Sequence, residues 1–157
     1  YARPEQLGVD RWAASVAAWD ARKAAVLVID CGSAITVDFV HEDGRHRGGL
    51  IAPGVGMMRH CLSRDTANLD ILPPDRAQSP DLFVNDTAAA IRNGTLCMAT
   101  ATIDRVAEEA RRRYGDSLCV ILTGGDAPVV QPLLGCRTIL DPDLVLKGVA
   151  ILAEEQA

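Results

Sequence analysis

The sequence predicts an α/β fold, in which a three-strand meander near the start of the chain belongs to a mixed sheet flanked by helices. Two continuous apolar runs, Ala25–Asp30 and Leu118–Thr123, are typical of strands buried on both faces. Several other segments carry apolar residues at helical spacing. Since the chain has 157 residues, of which 48% are hydrophobic, it is long enough to bury a core.

The first part of the chain contains the meander. An opening loop leads into a predicted helix from Val9 to Ala21, and the first apolar strand follows it. Ile35–Val40 alternates apolar and polar residues, which is the pattern of a strand with one face in the core. His41–Gly44 ends in Asp-Gly and predicts a hairpin turn, and His46–Ala52 returns as the third strand.

The middle of the chain is predicted to be helical, with an irregular proline-rich crossing loop from Ile71 to Leu82. A helix from Val55 to Thr66 is expected to turn four side chains inward. These are Met57, Met58, Cys61 and Leu62. The next helix is expected to begin at Asn85–Thr87, which offers N-cap chemistry, and to end near Tyr114. Its predicted apolar positions are Ile91, Met98, Val106 and Ala110, and a close packing contact is expected at Gly94.

The last part of the chain follows the second apolar strand. Ala127–Leu134 predicts a short helix, because a proline is acceptable in a first turn. Cys136–Leu140 predicts a short strand. A final helix from Pro142 to Glu155 is expected to close the chain. Its expected inward side chains are Leu144, Val145, Val149 and Leu152.

Composition excludes several classes of protein. The net charge of −5 argues against a nucleic-acid binder, and no apolar run approaches the roughly 20 residues that cross a bilayer. The five cysteines are widely spaced without a C-x-x-C pair, so we expect buried, reduced thiols in a cytosolic protein. The three histidines match no zinc spacing and are expected at the surface or in loops.

Three motifs carry possible chemistry. In Asp30–Asp38 (DCGSAITVD), the turn exposes backbone N–H groups and hydroxyls to an anion, and the two acids make sense beside a cation that neutralises phosphates. The alternative is an ordinary hairpin with polar turn residues. Gly124-Gly125 in LTGGDA forms a strand-to-helix junction that admits an adenosine against bare backbone. In Leu7–Arg11, Asp10 is placed to accept a proton and Arg11 to clamp a carboxylate or phosphate, the alternative being a surface pair.

The order of the motifs resembles that of type III pantothenate kinases over nearly the whole chain. The matching segments are Tyr1–Arg11, Asp30–Asp38, Gly48–Gly54, Asn85–Thr87, Thr123–Ala127 and Pro142–Gly148. The resemblance implies an actin-like (ribonuclease H-like) ATPase fold. Within it, residues 1–24 would be an acceptor-binding remnant of an N-terminal half-domain, and residues 25–157 the C-terminal half-domain.

The resemblance also implies roles for individual residues. Asp10 matches the general base that takes the proton of the pantothenate hydroxyl as it attacks the γ-phosphate of ATP. Tyr1, Gly8, Val9 and Arg11 match the pantothenate pocket, and Thr87 matches a pantothenate ligand across a dimer interface. Asp30 matches the ligand of a monovalent cation, K+ or NH4+. The implied ATP contacts are Gly32, Ser33, Gly124 and Gly125, with serine standing where the family usually has threonine.

The implied protein is a cytoplasmic homodimer that uses ATP, Mg2+ and pantothenate and binds neither nucleic acid nor membrane. The start of the helix at Thr87, with Ala88–Ala90 and Gly94, offers a flat surface for pairing. The family begins with a strand and a D-x-G-N-(T/S) phosphate loop that does not precede Tyr1 here, so the 157-residue chain alone is expected to be nearly inactive. Two alternatives stay open: a non-catalytic regulatory relative, and an actin-like kinase of another small hydroxyl compound.

Overall fold

A computed structural model describes residues 3–65 and 81–154 of the chain. The strands are β1 (Val26–Cys31), β2 (Ala34–Val40), β3 (His46–Pro53), β4 (Cys119–Thr123) and β5 (Ile139–Leu140). The helices are α1 (Val9–Arg22), α2 (Val55–Asp65), α3 (Thr87–Tyr114), α4 (Ala127–Val130) and α5 (Leu144–Glu154). Short 3-10 turns lie at Pro4–Gln6 and Gln131–Leu133.

The strands form one five-stranded mixed sheet in the order β3-β2-β1-β4-β5. β1, β2 and β3 pair antiparallel and form the predicted meander, with Asp30 opposite Thr36 and Asp38 opposite Gly49. β4 pairs parallel to β1, with Thr123 beside Asp30, and β5 pairs parallel to β4. The predicted mixed α/β sheet with a three-strand meander is therefore confirmed.

Alternation along the strands divides the core between the two faces of the sheet. One face packs against α3 and α4, and its buried strand residues include Leu27, Ile29, Val37 and Leu122. The other face packs against α1 and α5, and its buried residues are Ala14, Ala17, Ala18, Val26, Val28, Val40, Ile121 and Leu144. Asp30 and Asp38 alternate in step with Val28 and Val40, so both carboxylates belong to the face covered by α1.

The predicted orientation of α2 is confirmed for Met58, which packs against the core, and is wrong for the other three side chains. Met57 and Leu62 are exposed by 50% and 41%, and Cys61 is exposed as well. Val55 and Arg59, one helical turn apart, are the buried side chains. Arg59 is held inside because its Nε donates to Thr95 Oγ1 at 3.1 Å, so a polar contact with α3 decides which face of α2 turns inward.

The long helix α3 begins as predicted, and its predicted apolar positions Val106 and Ala110 pack in the core. Asp86 caps it, since its Oδ1 accepts from the Ala89 N–H at 2.8 Å. Met98 is 63% exposed rather than inward, and a side chain added at Gly94 would meet nothing within 4 Å, so the predicted close contact there is wrong within the described chain. The core positions of α3 are Leu96, Ala99, Ile103, Ala107 and Ala110.

Other expectations are corrected at the end of the chain and among the thiols. In α5, Leu144 is buried as predicted but Val149 is half exposed, because Gly148 rather than Val149 lies against α1. None of the five cysteines forms a disulfide, but only Cys31 is fully buried. The predicted crossing loop lies outside the described residues except at its end. None of the described helices combines the length and apolar character that a membrane-spanning helix needs.

Candidate active site

Asp10 lies in the first turn of α1, where a negative charge is favoured by the helix dipole. The residue is exposed, and its Oδ1 accepts the Arg11 backbone N–H at 3.0 Å. Gly8 flanks the start of the helix, and a Cβ there would come within 2.7 Å of that same Oδ1. A side chain at Gly8 would therefore push the Asp10 carboxylate out of its position.

Asp30 is the penultimate residue of β1 and lies on the face of the sheet that α1 covers. Burial raises the pKa of the Asp30 carboxyl, and the negative charge of Asp10 raises that pKa further. The acid of the Leu7–Arg11 segment and the first acid of the Asp30–Asp38 motif therefore interact electrostatically, although 20 residues separate them in sequence.

The turn after Asp30 is held by hydrogen bonds between backbone groups. The Gly32 N–H donates to Ala34 O at 3.1 Å, and the Gly54 N–H donates to Ser33 O at 3.0 Å. Gly124 has a φ of 94° and approaches so closely that a Cβ there would overlap Asp30 Oδ1 and the Cys31 backbone. Only glycine satisfies both demands at position 124.

This turn opens on a cleft of about 690 Å³ at the carboxyl ends of the parallel strands β1 and β4. Ligands of open α/β sheets bind at such ends. The cleft is lined by Gly32, Ser33, Gly56, Met57, His60, Gly125 and Asp126. Three predicted nucleotide contacts, Gly32, Ser33 and Gly125, therefore share one cavity.

Arg11 is buried rather than part of a surface pair with Asp10, since it is only 8% exposed. Its Nε donates to Asp38 Oδ2 at 2.9 Å and its Nη2 donates to Asp38 Oδ1 at 2.6 Å. The guanidinium therefore has a buried carboxylate of the protein as a bidentate partner.

Asp38 was expected beside a cation that neutralises phosphates, and this expectation is wrong. Its side chain is 2% exposed, and its carboxylate forms an ion pair with Arg11. His46 Nε2 also lies 2.7 Å from Asp38 Oδ1, with its side chain 4% exposed, so the expectation of a surface histidine fails at this position. Among the described residues, no group of three or more His, Cys, Asp or Glu side chains is arranged to hold a metal ion.

Comparison with known proteins agrees with the motif order. The model of the type III pantothenate kinase family matches residues 1–109. A type III pantothenate kinase of Nitrosococcus oceani is 41% identical over 160 residues, which cover 99% of this chain and 59% of that protein. One from Alcanivorax borkumensis is 40% identical over 156 residues, covering 99% of this chain and 62% of that protein. The chain belongs to the type III pantothenate kinase family.

Solved structures support the fold of this family member. A Baf family transcriptional activator from Campylobacter jejuni superposes with a TM-score of 0.68 at 24% identity, over 98% of this chain and 66% of that one. An activator of 2-hydroxyisocaproyl-CoA dehydratase from Clostridium difficile, with bound ADPNP, gives a TM-score of 0.50 at 12% identity, over 94% of this chain and 66% of that one. At these identities the likeness concerns the fold alone. The chain spans about three fifths of the length of the curated relatives it matches.

Not all residues implied by the family pattern meet at the cleft. Thr87 opens α3 and is exposed, and the structure describes no contact that links it to Asp10 or to Ser33. Tyr1 lies outside the described residues. Val9 is 76% exposed and faces a separate cavity of about 580 Å³. That cavity is also lined by Leu7, Trp12, Gly44, Arg45, His46 and Arg47.

Sequence reasoning missed several residues at or near the cleft. Met57 and His60 line it because α2 turns them outward, whereas the sequence pattern indicated that Met57 is buried. Asp126 was named only as part of a motif, yet it lines the cleft and its N–H donates to Cys31 O at 2.8 Å. Its position directly after Gly124-Gly125 is the signal that identifies it.

Proposed function

We propose that the full-length protein transfers the γ-phosphoryl group of ATP to pantothenate and forms 4'-phosphopantothenate, the first step of coenzyme A biosynthesis. The observation that supports this most is that Asp30 packs against Gly124 of the glycine-rich turn, on the face of the sheet covered by the helix that carries Asp10. A proton acceptor next to a phosphate-binding turn is what transfer to an alcohol requires. The family membership supplies pantothenate as the alcohol.

In the proposed reaction, the Asp10 carboxylate takes the proton of the primary hydroxyl while that oxygen bonds to the γ-phosphorus. The bond from the γ-phosphorus to the β,γ-bridging oxygen breaks, and ADP leaves. Ser33 and the N–H groups around Gly32 hold phosphate oxygens, and the bare backbone of Gly124 and Gly125 receives the adenosine. Positioning and charge neutralisation dominate such a reaction.

Asp30 is the proposed ligand of the monovalent cation. Its half-buried carboxylate lies near a like charge, so a cation there would relieve the repulsion, and carboxylate oxygen suits K+ or NH4+. Mg2+ bound with ATP would supply the remaining positive charge. The raised pKa of Asp30 also argues against a non-catalytic role, because perturbed carboxyl groups concentrate at functional sites.

Acceptor binding is proposed for Tyr1, Gly8, Val9, Arg11 and Thr87, with Thr87 acting across a homodimer. In this proposal, residues 1–24 form the acceptor-binding part and residues 25–157 the C-terminal actin-like half-domain. The burial of Arg11 against Asp38 restricts its contribution, since two of its donors already serve the protein. A cytoplasmic location follows from the proposed use of ATP.

Coupled ADP release by the full-length protein tests the proposal. We expect turnover with pantothenate in the presence of potassium, little turnover with sugars, and low turnover that potassium no longer stimulates in Asp30→Asn. Turnover with a sugar in place of pantothenate would identify a different actin-like kinase, and absence of turnover with all of them would contradict an enzymatic role.

A further inference from the structure

Asp38 is the centre of a hydrogen-bonded chain that runs from β3 to the predicted base. The Gly48 N–H donates to His46 Nδ1 at 3.2 Å, and His46 Nε2 lies 2.7 Å from Asp38 Oδ1. Arg11 Nε and Nη2 donate hydrogen bonds to the same carboxylate. The backbone N–H of Arg11 then donates to Asp10 Oδ1 at 3.0 Å.

The contacts define the form of the His46 ring. Because Nδ1 accepts from a backbone N–H, the tautomer that fits both contacts has its proton on Nε2, which then donates to Asp38. In that tautomer His46 adds no charge to the Arg11–Asp38 pair. The three side chains are 8%, 2% and 4% exposed, and each has a hydrogen-bond partner.

The chain also fixes the place of Asp10. The N-cap residue of α1 is Gly8, which has no side chain to accept a capping hydrogen bond, so the first turn lacks that common anchor. The Arg11 guanidinium anchors this turn to β2, because it donates two hydrogen bonds of fixed geometry to Asp38. Moving a catalytic group by about 1 Å costs on the order of 100-fold in rate, so this anchor bears directly on the base.

We propose that Asp38 and His46 are positioning residues for phosphoryl transfer, holding Arg11 and through it the Asp10 base. The inference rests on the proposed function for its kinetic consequence. In this proposal Asp38 holds Arg11 in place and does not bind the cation that the sequence motif suggested. Neither residue touches the reacting atoms in this assignment.

Three variants of the full-length protein test the kinetic consequence. His46→Gln keeps a donor for Asp38 and an acceptor for Gly48, whereas His46→Leu keeps only bulk. We expect kcat to stay within about threefold in His46→Gln and to fall roughly 10-fold or more in His46→Leu, with the KM for ATP nearly unchanged. Asp38→Asn is expected to lower kcat by about 10- to 100-fold.

The matched control is His41→Leu, which removes another histidine near an aspartate, His41 Nδ1 being 3.1 Å from Asp43. It should keep wild-type kcat. Equal kcat in His46→Leu and His46→Gln would overturn the proposal, as would wild-type kcat in Asp38→Asn. If Asp38→Asn fails to fold, the comparison of kcat between His46→Leu and His46→Gln tests the proposal on its own.

A second readout does not depend on activity. The ¹⁵N shifts of the His46 ring in the wild-type protein should show a protonated Nε2 and a bare Nδ1. A proton on Nδ1 would overturn the proposed hydrogen-bonded chain. Wild-type protein that fails to phosphorylate pantothenate while showing the expected ring form would contradict the proposed function and leave the chain of contacts supported.

Discussion

At the scale of single residues, the informative feature is the carboxyl group of Asp30, whose pKa is raised. Burial, and then the charge of Asp10, raises the pKa of Asp30, so keeping both groups ionised works against folding. Perturbed acids of this kind concentrate at functional sites. Asp10 remains exposed, which leaves it accessible to an incoming alcohol.

Replacement of Asp10 tests its role as the base. Asp10→Asn keeps the size of the side chain but removes the proton acceptor, so we expect kcat to fall by roughly 10²- to 10⁴-fold in the ADP-release assay. Asp20→Asn is the matched control, because Asp20 is an exposed acid of the same helix that pairs only at the surface with Lys23. Full activity in Asp10→Asn would move the base to another residue.

The cysteines should differ in their reaction with iodoacetamide. Burial and the charges of Asp30 and Asp126 raise the pKa of the Cys31 thiol to about 12, and burial is the main cause that raises the pKa of Cys136 to about 11. A raised pKa leaves the unreactive thiol form dominant until the pH approaches that value. Cys61 is exposed.

Mass spectrometry after alkylation of the native protein at pH 8 should therefore find Cys61 modified well before Cys31 and Cys136. Unfolding in urea should remove the difference. Early modification of Cys31 in the native protein would contradict the closed packing between β1 and β4.

The sequence predicts some of these residues and misses others for a physical reason. Asp10, Asp30 and Ser33 lie in local motifs whose residue order alone indicates phosphate chemistry. Asp38 and His46 face each other only because the β2–β3 hairpin brings them together, and Arg11 reaches them across 27 residues. The pairing of β2 with β3 and the position of α1 over β2 cannot be predicted from a single sequence.

At the scale of elements, α1 and α5 pack at unusually short range on one face of the sheet. Gly148 of α5 lies against the backbone of Ala13 in α1, where any added Cβ would overlap the Ala13 carbonyl. Ala14, Ala17 and Ala18 continue this contact surface. Small residues thus bring α1, and with it Asp10, close to the sheet.

Gly148→Ala is expected to destabilise the protein by about 1–3 kcal/mol because the helices must move apart. Gly94→Ala is the matched control inside α3, where an added methyl meets nothing within 4 Å. That change is expected to stabilise the protein by up to about 1 kcal/mol, since alanine favours the helix. Urea unfolding of both variants measures the difference, and equal stabilities would contradict the described α1–α5 packing.

The sequence predicted the buried strands correctly, but it predicted less well which face of each helix is buried. The apolar runs of β1 and β4 are long and β-branched, so their burial follows from composition. In α2, however, the buried Arg59 bonds to Thr95 and turns Met57 towards the cleft. Hydrophobicity alone assigns these two side chains the wrong way round.

At the scale of the whole molecule, the fold gathers its candidate chemistry at one edge of the sheet. The parallel strands β1 and β4 end there, with α1 on one face of the sheet and α3 on the other. The chain spans about three fifths of its curated relatives, so the complete site is a property of the full-length protein. Within this chain, Asp10, Asp30 and the turn at Ser33 define the proposed place of reaction.

A crystal structure of the full-length protein with pantothenate and a non-hydrolysable ATP analogue tests this arrangement most directly. The account predicts the primary hydroxyl of pantothenate within about 3.2 Å of the Asp10 carboxylate, and the γ-phosphate beside Gly32 and Ser33. A pantothenate hydroxyl directed away from Asp10, or a nucleotide outside this cleft, would contradict it.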